Sequence, residues 1–262
     1  MTNSIYLRPE DYDAQYLDYR VDIPFYLWLA ENYAGDSPIL EFAPGTLRVT
    51  LELAKAGYYL VGVDLSEEML GFGRIKLAQE GQDVENRVSL HHGNMCDYQV
   101  GTKHGLVFVP FTSFLHVLGT ENQLLALRNF HSHLLPGGHL VVDIFNPSVD
   151  RLARGTDRFQ PPTFEKRTVL PDGNILVRYQ TTKYNQATQQ SQWVFYIEIY
   201  DGKTNEMIRK YTEEAVVQLI FPQEWRLLLR TAGFEVIEEF GDFDRNRFGD
   251  NSPRMIFLCR KV

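Results

Sequence analysis

Cysteine is scarce in this sequence, and long apolar runs are absent from it. Only Cys96 and Cys259 are present among 262 residues, far apart and outside any CxxC spacing. Neither a disulfide framework nor a zinc site is indicated, and we expect no metal. No stretch approaches the roughly 18 consecutive apolar residues typical of a membrane-spanning helix. The sequence therefore favours a protein that does not span a membrane.

Positive charge is also in short supply. The chain has 26 Lys and Arg against 34 Asp and Glu, a formal net charge of −8, and no run of basic residues. A nucleic-acid groove needs a basic stripe to neutralise phosphates, so we expect no nucleic-acid partner. The first twenty residues carry acids, tyrosines and a proline where a signal peptide needs an apolar stretch, which favours a cytoplasmic protein.

The sequence does contain a regular alternation of strand-like and helix-like segments, beginning near residue 38. A short apolar run over 38–42 predicts a strand, 46–56 predicts a helix, and 59–63 predicts the next strand. Ser66 can then cap the following helix. Together these segments predict one complete βαβ unit.

The alternation continues, and it predicts the fold class. Further segments follow in chain order: strands 88–92 and 105–110, helix 121–135, strand 138–145, antiparallel strands within 164–219, helix 222–232, and strands 234–240 and 254–260. This order predicts an α/β fold with a doubly wound, mostly parallel seven-stranded sheet and an inserted antiparallel β cover. The predicted domains are an N-terminal helical cap (1–37), a ligand-binding domain (38–150 and 220–262) and the inserted strands (151–219).

The ligand site of such a sheet lies beyond the carboxyl ends of its strands, where the winding direction switches. Residues 41–47 leave the first strand through a tight turn and enter a helix, whose N-terminus favours an anionic ligand group. Asp64 lies about 20 residues beyond this turn, the spacing at which a carboxylate can accept hydrogen bonds from ribose hydroxyls. These features predict a nucleoside ligand.

Several segments resemble one known family. The run ILEFAPGTLRVTLELAKAGYYLVGVDLSEEML resembles motifs I and II of the class I S-adenosylmethionine-dependent methyltransferases. Four later segments are similar to the family's remaining blocks: HHGNMCDY, GLVFVPFTSFLHVL, LRNFHSHLLPGGHLVVDIFNP and the tail from LLLRTAGF onward. The resemblance implies a Rossmann-like methyltransferase fold. Family members that act on glycine-like amines or amino sugars carry a similar antiparallel insert.

The resemblance also implies which residues form the site. The residues implied for the methionine part of the cofactor are Glu41, Ala43, Gly45 and Thr46, and Asp64 is implied for the ribose. Those implied for the adenine are Leu65, Met69, Asn94 and Met95. Phe111 and Ser113 are implied to lie near the methyl group. Tyr12 and Arg20 are expected to cap the cofactor, with Arg20 pairing with its carboxylate. His116 is the candidate catalytic base, and packing against the core is its alternative role.

Three positions depart from the family pattern. The family usually has glycine where this chain has Ala43 and Leu47, and commonly aspartate where it has Asn94. One alternative is therefore a degenerate, non-catalytic nucleoside-binding homologue in which Ala43 and Leu47 block the methionine site. A second is a nicotinamide-dependent oxidoreductase, which the missing GxGxxG spacing disfavours.

The expected function is methyl transfer from S-adenosylmethionine, with S-adenosylhomocysteine as product, to a nitrogen or oxygen of a small molecule. The sequence favours nitrogen only slightly. The aromatic inserted strands are expected to form either a substrate cover or a homodimer surface.

Overall fold

The computed structural model describes residues 5–148, 152 and 158–262. In chain order the elements are α1 (Pro9–Tyr16), α2 (Ile23–Tyr33), β1 (Ile39–Phe42), α3 (Arg48–Lys55), β2 (Leu60–Asp64), α4 (Glu67–Gln79), α5 (Gln82–Glu85), β3 (Val88–His92), β4 (His104–Val109), a 3₁₀ turn (Ser113–His116), α6 (Thr120–His133), β5 (Leu134–Phe145), β6 (Thr163–Val169), β7 (Ile175–Asn185), β8 (Gln190–Tyr200), β9 (Met207–Gln218), α7 (Pro222–Thr231), β10 (Phe234–Phe240) and β11 (Arg254–Lys261).

The chain divides into two compact units. Residues 1–18 and 147–219 form the smaller unit, and residues 19–146 and 220–262 form the larger one. The predicted cap over 1–37 thus contributes α1 to the smaller unit and α2 to the larger one. The predicted boundary between 150 and 151 lies outside the described residues, as do residues 1–4.

The larger unit is built on a seven-stranded sheet with the order β10-β11-β5-β4-β1-β2-β3. Strands β1 to β5 pair in parallel, whereas β11 is antiparallel to both β5 and β10. The predicted doubly wound, mostly parallel sheet with a closing hairpin is therefore confirmed. Its winding direction switches between β1 and β4, which is where such sheets bind their ligands.

Helices cover both faces of this sheet because its strands carry apolar side chains on both sides. On one face, α2 and α3 share a core cluster with Ile39, Phe108 and other buried residues. On the other face, the ring of Phe42 lies 4.7 Å from Phe130 of α6, and Phe114 lies 5.1 Å from Trp225 of α7.

Most predicted elements fall within two residues of the observed bounds, and the clearest exception is β5. The prediction began this strand at Gly138, but it begins at Leu134, directly after α6. Leu134 pairs with His104 at the start of β4, which extends the strand. Gly137, at φ +72°, lets the backbone turn inside the strand, since glycine adopts positive φ without strain.

The smaller unit is a four-stranded antiparallel sheet with the order β6-β7-β8-β9, together with α1. Two DG turns connect its strands: Asp172-Gly173 joins β6 to β7, and Asp201-Gly202 joins β8 to β9. Its apolar core includes Phe195 and Ile197, against which Ala14 of α1 packs.

Over the described part of the chain, none of the helices combines the length and the apolar character needed to cross a membrane.

Candidate active site

The turn between β1 and α3 contains three residues in the left-handed region. Ala43 has φ 60°, Gly45 has φ 56° and Leu47 has φ 66°. The amide of Ala43 donates to the Val63 carbonyl at 2.8 Å, and the Leu47 amide donates to Pro44 at 2.9 Å. One hydrogen bond therefore joins the turn to the end of β2, and another lies within the turn.

Two distant glycines accommodate the bulky residues of this turn. A Cβ at Gly73 in α4 would lie 2.7 Å from Leu47 Cγ, and a Cβ at Gly62 in β2 would lie 3.0 Å from Pro44 Cγ. Leu47 is fully buried and clusters with Leu51 and other apolar residues of the helices. Leu47 therefore packs into the helix layer.

Asp64, at the end of β2, links the turn to α4. Its Oδ2 accepts from the Gly45 amide at 2.8 Å, and its Oδ1 accepts from the Ser66 amide at 2.9 Å. Burial raises the pKa of Asp64, although these backbone hydrogen bonds oppose the shift. Each carboxylate oxygen has a second lone pair, so both can still accept from a ligand hydroxyl.

The side chain of Glu41, near the end of β1, lies inside the protein. Its side chain is almost fully buried in β1, and its Oε2 accepts from the Thr50 hydroxyl of α3 at 2.6 Å. Burial raises the pKa of Glu41 to about 8. The side chain is therefore mainly protonated at neutral pH and joins β1 to α3; a direct role towards the cofactor stays a prediction.

The residues predicted for the adenine follow β2 and β3. Leu65 is 67% exposed, whereas Met69 is buried, with its methyl group next to Gly45. The Oδ1 of Asn94 accepts from the Cys96 amide at 2.9 Å, so it forms a turn after β3. Asn129 of α6 holds that loop by donating to the Met95 carbonyl at 3.0 Å.

The loop after β4 has an uncommon backbone conformation. Phe111 and Thr112 follow one another at φ 55° and 62°, which is strained for residues with a Cβ. Asp143 of β5 holds both: its Oδ2 accepts from the Phe111 amide at 3.1 Å, and its carbonyl accepts from Thr112 at 3.0 Å. Arg254 of β11 pairs with the buried Asp143 through two hydrogen bonds, at 2.5 and 2.6 Å.

The predicted residues Ser113 and His116 lie in the 3₁₀ turn that follows. Both are half-buried, whereas Phe114 and Leu115 between them are buried in the core. The turn thus presents Ser113 and His116 at the same carboxyl edge of the sheet as the residues after β1, β2 and β3.

Sequence reasoning missed a second buried ion pair next to this edge. Arg48, the first residue of α3, donates twice to Asp22, both times at 2.6 Å, and once to the Tyr19 carbonyl at 2.9 Å. Its guanidinium also lies 5.1 Å from the ring centroids of Tyr19 and Phe111. Arg48 and Asp22 are 26 residues apart, so no local sequence pattern indicates that they pair.

The two predicted capping residues occupy different units. Arg20 is exposed and forms an ion pair with Glu52 of α3 at 2.7 Å. Tyr12 lies in α1 of the smaller unit, where its ring is 4.8 Å from Tyr16 and 5.9 Å from Tyr6. Their predicted contacts with the cofactor stay predictions.

Residues 39–138, which include the turn, Asp64 and the loop after β4, match a family described as a methyltransferase domain. This part of the chain therefore belongs to the methyltransferase domain family.

Several methyltransferases are similar to this chain. The CcbJ methyltransferase from Streptomyces caelestis has the same fold with a TM-score of 0.76 and 27% identity, covering 92% of this chain and 96% of that chain. The dTDP-3-amino-3,4,6-trideoxy-α-D-glucopyranose N,N-dimethyltransferase of Streptomyces venezuelae is 30% identical over 134 residues, which are 45% of this chain and 53% of that protein. The dTDP-3-amino-3,6-dideoxy-α-D-glucopyranose N,N-dimethyltransferase of Streptomyces fradiae is 32% identical over 105 residues, which are 40% of this chain and 38% of that protein. The chain therefore spans about half or less of the length of these two curated relatives.

Proposed function

We propose that the protein transfers a methyl group from S-adenosylmethionine to a nitrogen of a small molecule, with amino sugars as the acceptor class. The observation that carries the proposal is the tie between Asp64 and the Gly45 amide within a methyltransferase domain. This tie holds the carboxylate that we expect to bind the ribose beside a tight turn that opens into a helix N-terminus.

The residues at this edge fit the cofactor. Gly45 has a left-handed φ and no side chain, and Leu47 is packed into the helix layer instead of filling the turn. Ala43, Gly45 and Thr46 would surround the methionine part, and Asp64 would accept from the ribose hydroxyls. Leu65, Met69, Asn94 and Met95 would surround the adenine, with Glu41 holding the end of β1 in place.

S-adenosylmethionine supplies a methyl group activated on a positively charged sulfur. The protein's part is then to orient the acceptor and to manage its proton. Phe111 and Ser113 follow β4, at the edge where the acceptor atom would have to lie, and Asp143 holds their loop in its strained conformation. His116, in the same 3₁₀ turn, is the candidate base that receives the proton of an acceptor ammonium.

Nitrogen is favoured over oxygen because both aminosugar relatives are N,N-dimethyltransferases. The remaining features of the proposal rest on the sequence: a small-molecule acceptor without nucleic acid, given the net charge of −8, and a cytoplasmic location. A homodimer through the inserted strands is compatible with their aromatic side chains, as is an acceptor-binding role.

Mass spectrometry of the acceptor tests the proposal. Incubation with S-adenosylmethionine and a dTDP-linked 3-amino sugar should add the mass of one or two methyl groups and release S-adenosylhomocysteine. The same sugar with hydroxyl in place of the amine should stay unmodified. Methylation of the hydroxyl sugar alone would contradict the choice of nitrogen, and binding of S-adenosylhomocysteine without turnover on any amine or alcohol would favour the non-catalytic alternative.

A further inference from the structure

Two consecutive residues in the loop after β4 have a backbone conformation that their side chains disfavour. Phe111 and Thr112 both lie in the left-handed region, at φ 55° and 62°, and neither is a glycine. Such a conformation persists only where the surrounding structure holds it, and it is found mostly at functional sites. The loop therefore needs an anchor outside itself.

The neighbouring strand β5 supplies that anchor, because the sheet stops holding the loop at Pro110. The parallel pairing of β4 with β5 ends one residue earlier, at Val109, and Pro110 has no amide proton with which to continue it. The next two amides turn to Asp143 instead. Its Oδ2 accepts from Phe111 at 3.1 Å, and its carbonyl oxygen accepts from Thr112 at 3.0 Å. One residue of β5 thus holds both left-handed residues.

Asp143 is fully buried, and Arg254 of β11 fixes its orientation. The Nε of Arg254 donates to Oδ1 at 2.5 Å, and its Nη2 donates to Oδ2 at 2.6 Å. Two parallel hydrogen bonds from a planar guanidinium fix the plane of a carboxylate as well as balance its charge. Burial raises the pKa of Asp143, and the charge of Arg254 opposes that shift. Arg254 therefore favours the ionised carboxylate and directs its Oδ2 towards the Phe111 amide.

The ring of Phe111 has a defined place in the same unit. It meets the Tyr19 ring edge-on, with 5.1 Å between the centroids, and its centroid lies 5.1 Å from the Arg48 guanidinium. Two hydrogen bonds to Asp22 hold Arg48 in turn. A rotation of the backbone at Phe111 would carry the ring out of these contacts. The hydrogen bonds to Asp143 therefore decide where this ring lies.

We infer that Asp143 and Arg254 are positioning residues for methyl transfer, which align the acceptor side of the site by holding the loop after β4. This inference rests on the proposed function, because the loop carries Phe111, Ser113 and His116, the residues expected near the methyl group. Asp143 is buried, so it acts on the reactants only through the loop. In-line transfer depends steeply on the placement of the two reacting atoms, so the pair should control the rate of transfer more than the affinity for the cofactor.

The isosteric variant Asp143→Asn tests the inference, with Glu239→Gln as its matched control. Asparagine has one oxygen and one NH2 group, so it cannot accept from Arg254 and from the Phe111 amide with both terminal atoms, as the carboxylate does. The loop should then lose its anchor. Glu239 also accepts two hydrogen bonds from one arginine in the larger unit, Arg226, at 2.7 and 2.6 Å, and these are its side-chain donors among the described residues.

Two kinds of measurement are compared: amide hydrogen exchange over residues 110–116, and turnover of dTDP-3-amino-3,6-dideoxy-α-D-glucopyranose with S-adenosylmethionine. In Asp143→Asn the segment should exchange about 10-fold faster or more, while the turn over 43–47 keeps its wild-type rate. The kcat should fall about 10-fold or more, whereas the KM for S-adenosylmethionine and the Kd of S-adenosylhomocysteine should stay within about twofold. Glu239→Gln should leave these quantities at their wild-type values.

Arg254→Lys is the second variant, for the case that Asp143→Asn does not fold. Lysine keeps a positive charge next to Asp143 but replaces two parallel hydrogen bonds by a point charge. The segment 110–116 should again exchange faster than in wild type, and kcat should again fall. If Asp143→Asn is unfolded, wild-type exchange or wild-type kcat in Arg254→Lys overturns the inference.

The outcomes separate this inference from the proposed function. Wild-type exchange over 110–116 in folded Asp143→Asn would show that the ion pair does not hold the loop, and faster exchange with unchanged kcat would show that the loop does not align the reactants. An equal fall of kcat in Glu239→Gln would show a general effect on the fold. Each of these results overturns the inference and leaves the proposed function standing.

A wild-type protein that does not methylate the amino sugar would contradict the proposed function instead. The exchange rates then decide the inference by themselves. Faster exchange over 110–116 in Asp143→Asn supports it, and equal exchange overturns it.

Discussion

At the scale of single residues, the turn between β1 and α3 combines strain with good packing. Ala43 and Leu47 adopt left-handed backbone conformations that glycine adopts without strain. Leu47 offsets this strain because its buried side chain packs over Gly73. Ala43 has no large side chain to bury, so its strain has no comparable compensation.

Replacing these two residues by glycine should therefore have opposite effects on stability. Ala43→Gly should raise the free energy of unfolding by up to about 1 kcal/mol, because it relieves positive φ. Leu47→Gly should lower it by about 2–4 kcal/mol, because the cavity left in the helix layer outweighs the relief of strain. Urea unfolding of each variant measures both effects. A Leu47→Gly variant as stable as wild type would show that the side chain is not a packing element.

His116 is the residue whose role is most open to a direct test. If His116 is a general base, the variant His116→Asn should have a turnover lower on the order of 100-fold and should keep its affinity for S-adenosylhomocysteine. As a core residue, the same change should lower the melting temperature and leave turnover per folded molecule similar. Turnover and melting temperature are measured on one preparation, and a stable, fully active variant would contradict both roles.

At the scale of elements, Glu41 joins β1 to α3 through the hydrogen bond that it accepts from Thr50. Its pKa is about 8 in the folded protein against 4.5 for the free side chain, because burial disfavours the charge. Between these values the folded state holds a proton that the unfolded state has released. This contribution to stability is complete below about pH 4.5 and is lost as the pH rises through about 8.

Glu41→Gln should remove that pH dependence, since an amide oxygen still accepts from Thr50 and does not ionise. The difference in unfolding free energy, variant minus wild type, should grow with pH between about 5 and 8, by at most about 1.4 kcal/mol per pH unit. Urea unfolding at several pH values measures the difference. A constant difference across this range would mean that Glu41 is charged in the folded protein.

The elements of the sheet were largely predictable from sequence, but their long-range contacts were not. The strands β3 and β10 have the predicted bounds, because apolar runs between turn residues mark them locally. The pairing of Arg48 with Asp22 has no such local signal. The packing of Pro44 against Gly62 and of Leu47 against Gly73 has no local signal either, because it depends on which helices and strands become neighbours.

Predictability was lowest where one sequence pattern allows two structures. The turn residues Pro136 and Gly137 indicated a break between helix and strand, yet β5 continues through them because Leu134 pairs with His104. The neighbouring acids Glu213 and Glu214 indicate a solvated surface, yet Glu213 is buried. Its burial depends on the sheet of the smaller unit, and only β9's alternation, with buried neighbours at Ala215 and Val217, could have signalled it.

At the scale of the whole molecule, the residues expected to bind the cofactor lie in one of the two units. The larger unit holds the turn, Asp64 and the loop after β4, which fit the cofactor and its methyl group. Substitutions at these residues should therefore change the affinity for S-adenosylhomocysteine.

The most direct test of the account is calorimetric titration of S-adenosylhomocysteine into wild type and Asp64→Ala, with Glu67→Ala as the control. Glu67 is an exposed carboxylate in the first turn of α4 that pairs with Arg74, so its loss should leave the affinity unchanged. Asp64→Ala removes charge-assisted hydrogen bonds to the ribose and should weaken binding by roughly 1.5–3 kcal/mol in a folded protein. Equal affinity of wild type and Asp64→Ala would contradict the assignment of the ribose site, and absence of binding to wild type would contradict the account as a whole.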